Sequence, residues 1–103
     1  FPNYVHSIPN NNDNQDIVSM GTNSAVIAKD VITNGFQVMA IHIMAVCQSI
    51  DLLSKEEQAK LGSKTKMVYD LIRSEVPAVT EDVPQFENIK KVTTLLRAKN
   101  IEL

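Results

Sequence analysis

The sequence is short of cysteine, of unbalanced charge and of long unbroken apolar runs, and each shortage excludes a class of protein. A single cysteine, Cys47, in 103 residues leaves no internal disulfide framework and no CxxC metal knuckle, and it suits a reducing, cytoplasmic setting. A formal net charge of −2 supplies no basic footprint for nucleic acid. The apolar run VMAIHIMAVC (38–47) is too short at ten residues to span a bilayer, so no membrane is expected and a buried core helix is the better reading. Walker, GxGxxG, HExxH and GxSxG patterns are all absent. His6 and His42 stand far apart with no cysteine or clustered carboxylate to complete a metal site, so none is expected. Within its apolar run His42 reads as a satisfied core histidine, and Cys47 as a small buried hydrophobe. Phe1 stands where an initiator Met would be expected, and no signal-peptide pattern follows. That suggests a processed protein or a piece of a longer one.

What is present is unevenly distributed. Residues 1–16 carry only Asp13 and Asp16, and residues 17–53 only Lys29, Asp30 and Asp51; every other charge falls in 54–103. The opening FPNYVHSIPNNNDNQD reads as an irregular loop, because Asn and Asp bond to their local backbone and tolerate left-handed geometry. Residues 17–53 read as one long, mostly buried helix, with Val26, Ile27, Val31, Ile32, Phe36, Met39, Ile43, Val46, Cys47 and Ile50 at three- and four-residue steps.

Residues 54–103 read as three short amphipathic helices. Ser54 and Glu57 form a capping-box pattern, and Gly62 stands at the expected C-cap. Ser63 is placed to cap a helix with Met67, Val68, Leu71 and Ile72 on its apolar face, stopped by Pro77. Asp82, with Pro84 in the first turn, is placed to open a last helix through Phe86, Ile89, Val92, Thr93 and Leu96. The expected class is all-α: one long helix of a central bundle plus three shorter helices.

Length then raises a geometric difficulty. A helix from Val18 to Leu53 would be roughly 54 Å long at 1.5 Å per residue, whereas a compact domain of this size has a radius of gyration of about 13 Å. Three short helices cannot cover such a rod, and the uncovered part would leave a large apolar surface in water. Either the helix breaks at Asn34-Gly35, a strong turn dipeptide, or it packs against protein outside this sequence. The near absence of charge on both sides of Gly35 favours the second.

The most unusual stretch is NNNDNQDIVSMG (10–21), where amides crowd ahead of an apolar helix and offer donors and acceptors to a zwitterionic or anionic ligand. Its setting, SIPNNNDNQDIVSMG (Ser7 to Gly21), resembles the segment of the aromatic amino-acid ammonia-lyase family in which a Ser-Ile-Pro-type loop leads into Gln-Asp or Glu-Asp and then Val-Ser-Met. This family holds the histidine, phenylalanine and tyrosine ammonia-lyases and their aminomutase relatives. The similarity continues through AVCQSIDLL (Ala45–Leu53), KMVYDLIRSEVP (Lys66–Pro77) and, more weakly, VTEDVPQFENIKKV (Val79–Val92).

The resemblance implies the C-terminal portion of a much longer, mainly helical homotetrameric enzyme, with residues 1–16 as an active-site loop. It implies the electrophile MIO (4-methylideneimidazole-5-one), formed from an Ala-Ser-Gly that does not occur in these 103 residues. The fragment alone would then be inactive. Asn14 and Gln15 match positions that line the pocket and hydrogen-bond near the MIO group and substrate, and Asn11 matches a position near the substrate amino group. Asp16 reads as fixing the loop and the helix start and not as touching substrate. Gln15 occupies a position that is glutamate in typical histidine ammonia-lyases, which favours tyrosine or phenylalanine over histidine as the small-molecule substrate. The implied reaction is loss of ammonia to give an arylacrylate, or re-addition of ammonia in a 2,3-aminomutase. A non-enzymatic helical oligomerisation module is the alternative of a different class.

Overall fold

The computed structural model describes residues 12, 14 and 19–98. Its helices are α1 (Gly21–Asp51), α2 (Lys55–Gln58), α3 (Ser63–Glu75) and α4 (Phe86–Arg97), and there is no strand among the described residues. The all-α class and the pattern of one long and three shorter helices hold. By internal contacts the chain divides into two units, Phe1–Asn34 and Gly35–Leu103.

In the first unit, Asn12 has φ of 55°, the left-handed geometry that asparagine accepts more readily than most residues. Ser19 and Met20 precede α1 without being helical. The Gly21–Asn34 part of α1 is exposed almost throughout, with Val31 and Ile32 more than half accessible.

The second unit has a small core. Ala40 and Cys47 from α1, Ile72 and Val76 from α3 and its end, and Val92 from α4 are buried together, with Ile43, Met44, Val68, Tyr69, Ile89, Leu95 and Leu96 packed around them. The α1 members recur at three- and four-residue steps, so they form one stripe along the helix. Burying a side chain such as Ile72 contributes about 1.5–3 kcal/mol. The opposite faces of α1 receive no such cover: Val38, Met39, Ile41 and Val46 remain exposed.

The helix does not break at Asn34-Gly35. It is continuous through both residues, and a Cβ built on Gly35 would meet nothing within 4 Å. At 31 residues α1 is about 46 Å long. Its buried residues, Ala40, Cys47 and Ile50, all lie in the C-terminal part. By length and composition alone α1 would also serve to cross a membrane; the core helix of a soluble protein passes the same test.

Several local expectations shift. His42 is exposed in this chain and not a core histidine, whereas Cys47 is buried as expected. The Ser54 capping box forms in full: the Ser54 hydroxyl accepts from the Glu57 amide, and the Glu57 carboxylate accepts from the Ser54 amide at 3.0 Å. The C-cap of α2 is Ala59 and not Gly62, which instead takes the N-cap position of α3, with Ser63 already helical. Val76 ends α3 just before Pro77. Helix α4 begins at Phe86 with Gln85 as N-cap, later than Asp82, because Pro84 drives the preceding Val83 away from helical geometry. Phe86, expected on the apolar face, is 67% exposed.

Candidate functional site

Of the residues that the sequence points to, Asn14 lies in a turn and is exposed. Asn11 and Gln15 lie outside the described residues, as does Asp16. The described residues therefore do not assemble the amide cluster into a site. Nor do they include a group of three or more His, Cys, Asp or Glu side chains able to hold a metal ion.

The structure instead brings together a polar cluster at the C-terminal end of α1. Asp51, the last residue of α1, accepts a hydrogen bond from the Tyr69 hydroxyl on Oδ1 at 2.5 Å and one from Arg73 Nη2 on Oδ2 at 2.6 Å. Tyr69 and Arg73 are four residues apart on α3 and so share one face. The Arg73 guanidinium also sits 5.9 Å from the Tyr69 ring centroid. Its other amine, Nη1, donates to the carbonyls of Val76 and Pro77 at 3.2 and 3.3 Å. Arg73 Nε is buried without a partner.

These contacts set the ionisation of the cluster. Burial pushes the Asp51 carboxyl up, but the Tyr69 hydrogen bond and the Arg73 guanidinium outweigh it and hold the group below the usual carboxylate range. The Tyr69 phenol is pushed up, chiefly because it donates to Asp51. Burial raises the Cys47 thiol; nearby Arg73 opposes this and Asp51 adds to it. At neutral pH the cluster is thus a carboxylate, a neutral phenol and a neutral thiol beside a guanidinium. None of these is poised to exchange a proton near neutrality. The arrangement ties the end of α1 to α3.

The signal for this cluster was in the sequence. Asp51 is the one charge in the C-terminal half of the long apolar helix, and the Tyr69–Arg73 spacing is helical. What the sequence does not show is that these elements meet.

A second tie lies on the next turn of α1. The Gln48 side-chain amide donates to the Val79 carbonyl at 3.0 Å and accepts from the Val79 amide at 2.9 Å. Gln58 donates to the carbonyls of Ile50 and Leu53 at 2.9 and 3.2 Å, satisfying the end of α1. Two apolar grooves flank α1: one of about 250 Å³ toward α3, lined by residues such as Ile43, Ile50 and Val68, and one of about 330 Å³ beneath Pro77 and Val79.

A family model described as aromatic amino acid lyase matches residues 1–74. The chain belongs to the aromatic amino acid lyase family. Among its relatives, the histidine ammonia-lyase of Streptococcus pyogenes serotype M3 is 38% identical over 97 residues, covering 92% of this chain and 18% of that protein. The histidine ammonia-lyase of Streptococcus gordonii is 37% identical over 99 residues, covering 94% of this chain and 19% of that protein. Among solved structures, tyrosine aminomutase from Streptomyces globisporus superimposes with a TM-score of 0.79 at 32% identity, covering 92% of this chain and 18% of that one. The lyase-family chain thus spans slightly less than a fifth of the length of the relatives it matches.

Proposed function

We propose that this chain is the C-terminal part of an enzyme that eliminates ammonia from an aromatic amino acid, with tyrosine or phenylalanine preferred to histidine. Family membership supports the reaction class. The observation that carries the substrate preference is Gln15, an amide where the resemblance expects glutamate in histidine ammonia-lyases. An amide cannot offer an imidazole the charge that a carboxylate does. The names of the Streptococcus relatives pull toward histidine. A 2,3-aminomutase is the second reading, favoured by the structural likeness to a tyrosine aminomutase.

In this reading the electrophile is an MIO group, and the Ala-Ser-Gly that forms it does not occur in these 103 residues. Asn14 is an exposed turn residue. The contribution proposed for this chain is therefore confined to hydrogen bonding by Asn11, Asn14 and Gln15, which orient substrate without titrating. By itself the chain would be inactive. The exposed apolar faces of α1 are consistent with cover from the rest of the enzyme and from further subunits of a cytoplasmic homotetramer.

The test is product analysis of the full-length enzyme supplied separately with tyrosine, phenylalanine and histidine. An arylacrylate from tyrosine or phenylalanine is expected. Urocanate as the dominant product would overturn the preference drawn from Gln15, and a β-amino acid would establish the aminomutase reading.

A further inference from the structure

We propose that residues 76–85 form a strap latched over an apolar groove of α1, and that Asp51 sets the latch through Arg73 without touching the strap itself.

The strap runs from the end of α3 to the start of α4, and residues 77–84 are exposed. Its Pro77, Val79 and Gln85 line one groove together with Ile41, Met44, Ala45 and Ile89. Its first four residues are held to neighbouring elements by two devices. One is the Gln48 amide, bonded in both directions to the Val79 backbone. The other is Arg73 Nη1, bonded to the Val76 and Pro77 carbonyls.

A guanidinium is planar and its donors form a rigid fork, so fixing one amine fixes the direction of the other. Asp51 holds Nη2 at 2.6 Å. The carboxylate at the end of α1 thereby aims Nη1 at the strap. The Tyr69 hydroxyl occupies the second oxygen of Asp51, which keeps the carboxylate from rotating away. Asp51 is in this sense a positioning residue. Loss of its charge would free the fork, loosen Val76 and Pro77, and leave Val79 on the Gln48 tie alone.

The test is hydrogen exchange in the full-length enzyme, comparing peptides from the strap with peptides spanning Ile72 and Val92. Asp51→Asn should speed exchange at the Val76 and Val79 amides, which are bonded to Ile72 and Gln48, by about tenfold or more, as loss of a charged hydrogen bond would, and by well beyond any change in the helical peptides. Arg73→Lys keeps the charge but not the fork and should open the strap to a similar degree. Gln48→Leu removes the other tie directly and sets the scale for a released Val79. Unchanged strap exchange in Asp51→Asn would overturn the proposal. So would equal acceleration across the helices, which would make the cluster a general stabilising element, and so would full strap protection in Arg73→Lys.

Discussion

Gln48 and Val79, 31 residues apart, exchange two hydrogen bonds, so that a helix side chain stands in for a neighbouring strand. Both bonds are exposed, and each such bond has a net worth of about 0.5–1.5 kcal/mol. Gln48→Leu should lower the stability of the chain by about 1 kcal/mol, because water can replace the lost partner at Val79. Urea denaturation followed by circular dichroism measures this; a loss beyond about 3 kcal/mol would show a larger role for the tie than two exposed bonds can have.

The Asp51–Arg73 pair predicts an acid limb in the stability curve. The Asp51 carboxyl titrates lower in the folded chain than in the unfolded one, where it lies near about 3.9. Its contribution is therefore fully present above the unfolded value and is lost as pH falls through the folded value. At neutral pH Asp51→Ala should cost about 1.5 kcal/mol, because Arg73 Nη2 loses its charged partner while Nη1 keeps the Val76 and Pro77 carbonyls. The difference between the two proteins should shrink as pH drops below about 4. A constant difference down to strong acid would contradict the depressed ionisation. Glu57, held low by the Ser54 hydroxyl, adds an acid dependence of the same sign.

Core and surface positions of like chemistry should behave very differently. Ile72 is fully buried, and Ile72→Ala should cost about 2–5 kcal/mol. Ile32 is 60% exposed, and Ile32→Ala should change the stability of this chain by no more than about 0.5 kcal/mol. In the full-length enzyme, cover over α1 would raise the second value. Thermal melts of both variants in both lengths separate the two cases.

The uncovered faces of α1 also predict self-association of the chain by itself. Sedimentation velocity should show an oligomer, and the pair Ile32→Glu and Val38→Glu should shift it toward monomer. A monomer in the parent chain would mean that the apolar faces are accommodated some other way, such as by bending at Gly35.

For the active-site loop, Gln15→Ala in the full-length enzyme should reduce turnover while leaving the assembly unchanged. Steady-state kinetics beside size-exclusion chromatography measures both, and normal turnover would remove Gln15 from the site.

Much of the fold was legible because its signals are short-range. The Ser54–Glu57 capping box works over three residues and formed as written. The stop at Pro77 follows from the ring geometry of proline alone. The start of α4 was misjudged at Asp82 because a capping residue and a proline can each be satisfied outside a helix, and here both lie in the strap. His42 was misjudged because an apolar run tells which residues form a helix but not which of its faces this chain covers. What was legible in the motif SIPNNNDNQDIVSMG is the family, which the family match bears out.

By itself the sequence determined the all-α class, the long apolar helix and the family, since helical period, caps and motif residues act within a few positions of one another. Only the tertiary structure decided that Asp51 meets Tyr69 and Arg73, 18 and 22 residues away, and that Gln48 meets Val79. Those pairings depend on where the packed helices bring their side chains, and helix packing is governed by the shape of the buried faces taken together. No stretch of sequence encodes it locally.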